Sequence, residues 1–441
     1  MAVDKLVDSA QLDADLTSVA NAIRTKGGTS AELSFPQGFV DAVVAISTGR
    51  EPAPFNDVNF YDKDGTIVYS YSKAEFLTLD ELPENPTHDG FISQGWNWTL
   101  QGAKAYVTKY GILDIGQTYI TDDGATRITV SFLTDGDLSM RIYWTQDKAD
   151  GVKVSWGDGS TIETVSSAGT GVKYLEHIYA VKGNYVISLM PDDDCTFSFG
   201  NSGNYAIWGA GNTNYMWANK ITAVNYGKNI ETNIGPTFSV GRALQEITFP
   251  RGLTNINTGL ANSLNLSAAI LPYGITNISI NNFMNSPRKA ICIPETLTDI
   301  TGTNFMHNNT LIKRICLPEQ MSAIPNATCL GCDILQQVVI PSGITSIGQS
   351  AFNSCWALSE MMIPATVTHI GAQAFYFMRG CPKFVLLPTT PPTLDNSNAF
   401  GNGKSGAVIE VPYSADHSIL NAYKTATNWS ALSSMIQEAE P

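Results

Sequence analysis

The sequence predicts a mainly β, modular chain: a short helical segment at the amino terminus, a β-sandwich in the middle and a solenoid over the carboxyl-terminal half. Three observations point there. Charged residues fill only 15% of the 441 positions, against about a quarter in ordinary globular chains, while glycine and small polar residues are plentiful, a composition of short strands joined by tight turns. Prolines recur at a nearly fixed interval: Pro250, Pro272, Pro294, Pro318, Pro341, Pro364, Pro388 and Pro412 stand 22 to 24 residues apart. Apolar residues repeat in register with them, as in Ile291 and Ile293 before Pro294, or Ile344 and Ile347 after Pro341.

Length and charge limit the remaining choices. A chain of 441 residues exceeds one compact core, so two to four structural units are expected. The net charge of −14, with no basic run, removes the phosphate-tracking surface that nucleic-acid binding requires. The start "MAVDKLVDSAQLDADL" has no apolar signal-peptide core, and no stretch approaches the about 18 apolar residues of a membrane helix. No signal peptide and no membrane insertion are therefore expected. Seven cysteines, all at or beyond Cys195, are expected to be reduced.

Residues 1–50 carry apolar spacing at Leu12, Leu16, Val19 and Ile23, then a second short apolar run after Pro36, which predicts two helices around the loop "TKGGTSAELS". Residues 51–126 form a small mixed α/β region. "VNFYDKDGTIVYSYS" predicts a hairpin turning at Asp64-Gly65, and Trp96 and Trp98 lead into a helix from about Thr99 to Tyr110. This combination resembles segments of tail-fibre or baseplate-appended proteins of phages and prophages from Gram-positive bacteria. The resemblance implies a virion-attachment or trimerisation role for the amino terminus.

Residues 127–200 contain "VKVSWGDGS" and "YLEHIYAVKGNYVISL", which resemble the PKD-type β-sandwich signature of a W-G-D-G turn followed by H-x-Y and G-x-Y-x-V. Val152, Val154 and Trp156, then Tyr185, Ile187 and Leu189, alternate as half-buried strands do. Asp158-Gly159 suits a tight turn because glycine accepts positive φ. The expectation is a spacer sandwich.

Residues 201–441 hold the repeat. Alternation before each proline gives a strand, and proline ends it because it has no N–H for the next ladder bond. One unit buries about five side chains worth on the order of 10 kcal/mol in total. Ordering its residues costs on the order of 1 to 2 kcal/mol each, so units hold only when stacked. The phrase "IPSGITSIGQSAF" and its copy "IPATVTHIGAQAF" are similar to the BspA-type leucine-rich repeat, best matched from Leu358 to Phe375 and at Ala351, Phe352 and Cys355. The tail "ILNAYKTATNWSALSSMIQ" is expected to close the array with Leu420, Tyr423, Trp429, Leu432 and Ile436. Cys332 and Cys355 lie nine before their prolines, and Cys292 and Cys316 two before theirs; equal offsets predict stacked small side chains rather than a zinc site.

Catalytic patterns are missing. His88, His177, His307, His369 and His417 are scattered, with no H-E-x-x-H spacing, no G-x-S-x-G elbow and no Walker loop. "DKDG" at 62–65 and "DDD" at 192–194 read as solvated turns rather than calcium loops. No catalytic residue, metal or cofactor is expected. Aromatics crowd "NYAIWGAGNTNYMW" just before the first unit, so Tyr205, Trp208, Tyr215 and Trp217 are the candidate binding residues, or else a cap on the solenoid's open end.

The sequence therefore predicts a non-enzymatic phage tail-fibre or receptor-binding protein, a homotrimer by resemblance. It would present its solenoid to a bacterial surface glycan or protein and hold other tail or baseplate proteins through its amino terminus, with the virion tail as its location. The alternatives are a bacterial surface or secreted leucine-rich-repeat adhesin and, second, a polysaccharide-degrading tailspike.

Overall fold

The computed structural model describes residues 55–199, 218–231, 233–234, 243–256, 265–279 and 283–441. The helices expected over 1–50 and the candidates Tyr205, Trp208, Tyr215 and Trp217 lie outside the described residues.

The first module begins with β1 (Val58–Tyr61) and β2 (Ile67–Tyr71), an antiparallel hairpin. Gly65 closes the turn at φ +83°, where a side chain would be strained. Helix α1 (Lys73–Thr78) starts in a capping box between Ser72 and Glu75. After β3 (Phe91–Trp96), α2 (Leu100–Tyr110) is capped by Thr99, as its spacing predicts, and ends on Gly111 in the left-handed conformation. Strand β4 (Leu113–Thr121) enters between β1 and β3, parallel to the former and antiparallel to the latter. Phe60, Phe76, Trp96, Tyr106 and Val107 fill the module's core.

Asp62 departs from the solvated turn expected at 62–65. Its carboxylate is buried and accepts bonds from the Tyr119 hydroxyl (2.8 Å) and the Lys63 N–H (2.7 Å), with His88 Nε2 at 2.8 Å. Burial works to raise its pKa, but these bonds outweigh it and hold the carboxyl below its ordinary value.

The next six strands are β5 (Thr126–Phe132), β6 (Ser139–Gln146), β7 (Val152–Ser155), β8 (Gly169–Ile178), β9 (Gly183–Pro191) and β10 (Phe197–Phe199). They form two facing sheets around Trp144, Trp156, Ile187 and Leu189. One sheet runs β10-β6-β8. The other runs β7-β9-β5 and continues into β11 (Ile221–Asn225) and, past β12 (Asn233–Ile234), into β13 (Glu246–Thr248). This corrects the spacer expectation. Strand β11 belongs to the first coil, so the sandwich sheet is continuous with the solenoid, and one hydrophobic core extends from Ile128 to Ile436. An open coil end presents unpaired N–H and C=O groups; β5 supplies them with partners. Gly227, which stands where other coils have proline, lets the backbones meet: a Cβ there would fall 2.1 Å from the Gly124 carbonyl oxygen.

Each coil contributes two short parallel strands. The first precedes the proline, as in Ala290–Cys292, Arg314–Cys316, Gln337–Val339 and Met361–Ile363; the second follows it, as in Ser346–Ile347 and His369–Ile370. Between them the proline carbonyl accepts the N–H three residues on, at Pro272, Pro294, Pro318, Pro341 and Pro364, so the residue that stops one strand also closes the turn into the next. Side chains one and three before the proline point inward and the one two before points out, except at Pro388, where one extra residue leaves Phe384 and Leu386 inside and Leu387 exposed.

Two interior columns run along the stack. Phe283, Met306, Cys329, Phe352, Phe375 and Phe400 form one, with Phe375 ring centroids 5.8 Å from Phe352 and 5.1 Å from Phe400. Asn309, Cys332 and Cys355 belong to the other, and each donates to a carbonyl 26 residues back: Asn309 Nδ2 to Phe283 (2.6 Å), Cys332 Sγ to Met306 (3.1 Å) and Cys355 Sγ to Cys329 (3.2 Å). The repeated cysteine is thus a small second donor to an interior carbonyl that already accepts the N–H three residues on, as Cys329 does from Cys332 and Met306 from Asn309.

The carboxyl end is closed by α3 (Ser418–Thr425) and strand Ile436–Glu438, with Tyr423, Trp429 and Ile436 buried and Leu420 packed partly against the core. The Tyr423 hydroxyl and Trp429 Nε1 donate to the Pro388 and Pro392 carbonyls.

Candidate recognition surfaces

The outward side chains of the pre-proline strands would ordinarily form an open face. Here the first module lies on it. Ala268, Ile270, Ala290, Cys292, Cys316 and Val339 project from the coils and are buried beneath the module. Strand β4 approaches so closely that a Cβ on Gly116 would stand 2.4 Å from Ile270 Cγ2 and 2.8 Å from Cys292 Cβ. Polar side chains then bind carbonyls of the coils. Asn97 Nδ2 donates to Leu271 and Cys292 (both 3.0 Å), Trp98 Nε1 to Ile293 (2.8 Å) and the Tyr106 hydroxyl to Leu317 (2.7 Å).

Helix α2 is held at both ends by the glutamates that follow two successive prolines. Glu295 accepts the Thr99 N–H at 2.9 Å beside the helix amino terminus, and Glu319 pairs with Lys109 at the other end (2.5 Å) and accepts from the Tyr110 hydroxyl. At the far side Arg314, with a side chain only 2% exposed, donates to Asp114 (3.1 Å), to the Asp57 and Asn56 carbonyls and to Gln337. Burial pushes the Asp114 carboxyl up, against the pull of Arg314 and Asn59. Burial likewise raises the thiols of Cys292 and Cys316, which keeps them un-ionised. Sequence reasoning missed this interface. Its one signal was the pair Pro294-Glu295 and Pro318-Glu319.

Beyond the module the face is open. Met362 is 56% exposed, with Glu360 and Leu387 exposed nearby and Lys383 paired to Glu410 at 2.8 Å. A cleft of about 590 Å³ at the junction is lined by Phe55, Asp57, Arg314, Gln337 and Ser359.

The histidines act within their own neighbourhoods. His177 stacks on Trp156 at 4.9 Å and bonds Asp158 at 2.7 Å; the bonds from Ser160, then that from His177, hold Asp158 down to about 2. His369 lies between Ser346 (3.2 Å, at Nδ1) and Asp395 (2.8 Å, at Nε2) on successive coils. Nucleophilic catalysis there would also need N–H donors for an oxyanion, yet the Gly348 N–H is bound to Ile324 and that of Gln349 to Asn326. Asp192, Asp193 and Asp194 pair with Lys153, Lys228 and Lys148 in turn. Among the described residues no group of three His, Cys, Asp or Glu side chains is placed to hold a metal, and no helix is long and apolar enough to cross a membrane.

A family model of the BspA type leucine rich repeat region matches residues 211–288 and 260–383 in six copies, so the chain carries a BspA-type leucine-rich-repeat region. No curated protein matches it. Among solved structures the chain is similar to a leucine-rich repeat protein from Bacteroides ovatus (17% identity, TM-score 0.35, covering 53% of this chain and 65% of that one). It is also similar to a leucine rich cell surface protein from Faecalibacterium prausnitzii (17%, 0.33, 49% and 66%) and to the pneumococcal vaccine antigen PcpA (18%, 0.28, 48% and 64%). The chain spans less than two thirds of the length of each.

Proposed function

We propose that this chain is a non-enzymatic adhesin of a bacterial surface that uses its leucine-rich solenoid to hold a surface glycan or protein of another cell. The observation that supports it most is the geometry of the column: each coil repeats the same outward positions, so exposed side chains on the coils past Val339 line up in rows that suit an extended ligand. The first module and the sandwich brace the amino-terminal coils, leaving the carboxyl-terminal coils as the presenting part. The bound N–H groups beside Ser346 and His369 favour binding over hydrolysis.

Labelled full-length protein incubated with intact Gram-positive cells should bind saturably, and release of a labelled surface sugar or peptide should not accompany it. Absence of saturable binding to any surface preparation would sink the reading. Carriage on a phage tail rests on the resemblance of residues 1–126. Immunogold labelling of virions rather than of producing cells would establish it, together with a homotrimer in sedimentation instead of a 47.6 kDa monomer.

A further inference from the structure

Along one edge of the solenoid six successive coils each place a residue in the left-handed conformation: Asn285, Asn308, Gly331, Ser354, Phe377 and Asn402. The N–H of Ser354 bonds the Tyr376 carbonyl and that of Phe377 the Gly401 carbonyl, so successive positions stack. Two residues further on stand Trp356, Arg379 and Lys404, all exposed. Resting on the adhesion reading, we propose that this ridge is a binding subsite for an acidic polysaccharide, whose carboxylates pair with Arg379 and Lys404 while a sugar ring lies against Trp356.

Charge is the first argument. The chain carries 40 acidic against 26 basic side chains, and Lys63, Lys109, Lys148, Lys153, Lys182, Lys220, Lys228 and Lys383 each have a carboxylate partner. Among the described residues Arg379 and Lys404 have no carboxylate partner, as Lys104, Lys313 and Lys424 have none, but these two occupy matching positions on successive coils beside an exposed indole. Two such cations without a carboxylate partner complement an anion.

The rings are the second. Trp356 is 47% exposed, and the Arg379 guanidinium lies 5.7 Å from its ring centroid and 5.3 Å from that of Phe377. Cation–π attraction to the two rings holds the guanidinium without using its N–H groups, which leaves them for a two-point carboxylate contact. The backbone beneath is fixed. The Arg379 N–H binds the Phe377 carbonyl at 2.9 Å, and a Cβ on Gly380 would fall 2.0 Å from the Trp356 carbonyl oxygen. Phe377 sits at φ +57°, which costs a residue with a side chain on the order of 1 to 2 kcal/mol, and it displays its ring beside Tyr376, whose hydroxyl is bonded by the Asn402 amide. An exposed indole, two cations and amides in a line suit a charged pyranose chain. Two cations are too few for a nucleic-acid backbone.

Isothermal titration of the full chain tests this with three probes: a galacturonate oligosaccharide, its methyl ester and a poly-glutamate of similar length. The galacturonate should bind, and its methyl ester about tenfold or more weakly, the size of one lost charged hydrogen bond. Arg379→Gln and Trp356→Ala should each weaken the acid form to a similar degree without moving the unfolding midpoint, since both side chains are exposed. The proposal is overturned if the parent chain ignores galacturonate, if Arg379→Gln binds it unchanged, or if poly-glutamate binds equally well without need of Trp356. Cell binding that survives both substitutions overturns this subsite and leaves the adhesion reading standing; galacturonate binding without any cell binding does the reverse.

Discussion

Arg314→Met isolates the contact that joins the first module to the solenoid. Arg314 and Asp114 approach to 3.1 Å with both side chains almost fully buried, and at an effective dielectric of about 20 that separation corresponds to about 5 kcal/mol of attraction. Desolvation offsets much of this in the intact pair, but removing one partner leaves the other buried and uncompensated, a loss of about 3 to 5 kcal/mol. The donations to the Asp57 and Asn56 carbonyls vanish as well. The pH dependence has a definite sign. Asp114 already has a folded pKa above its unfolded value, so its protonated form stabilises the fold at low pH, and that contribution disappears as pH rises through the folded pKa. Without Arg314 the folded pKa rises further. The deficit of Arg314→Met should therefore be largest near neutrality and shrink as pH falls toward the ordinary carboxylate range. Urea unfolding at several pH values measures it, with thiol labelling of Cys292 and Cys316, buried beneath the module, as a local readout. A deficit that is small at neutral pH, or that grows on acidification, would refute the reasoning.

Other substitutions address other parts of the stack. Gly116→Val should cost about 1 to 3 kcal/mol or lift the module, because its Cβ would overlap Ile270; unchanged hydrogen-exchange protection across Leu113–Thr121 would contradict that placement of β4. Phe375→Ala removes the middle ring of a stacked column and should cost about 3 to 5 kcal/mol in denaturant titrations, whereas a loss below about 1 would mean the column is not packed. Cys355→Ala removes one of two donors to the Cys329 carbonyl, the other being the Cys332 N–H, and should cost about 0.5 to 1.5 kcal/mol, while a neutral result would assign that cysteine to packing alone. Gln373→Gly, at φ +58°, should raise the unfolding free energy by about 0.5 to 1 kcal/mol; destabilisation would argue against the left-handed backbone there.

The repeat was legible because its physics is local. A proline that ends a strand, and apolar side chains spaced to face inward, act within a few residues, so a one-dimensional text records them at every coil. The hairpin at Gly65 and the helix behind Thr99 were readable for the same reason. Asp62 was not, since its turn sequence suits an exposed loop and only His88 and Tyr119, distant in the chain, bury it. The left-handed positions were hidden too: Ala327, Gln373 and Phe377 carry no signal of positive φ, and stacking against the next coil holds them there.

The sequence by itself determined the coil, its period and its inward face, because each unit repeats the same short-range preferences and gains stability only by stacking on its like. Tertiary structure decided which surfaces remain. It fused the sandwich to the first coil through β5 and β11, and it laid the first module over Ile270, Cys292 and Cys316. Both outcomes depend on contacts between residues far apart in the chain, such as Asn97 with Cys292, 195 positions apart, and Asn56 with Arg314, 258 apart. Periodicity says nothing about which open edge a distant strand will satisfy, or which apolar stripe a distant module will cover.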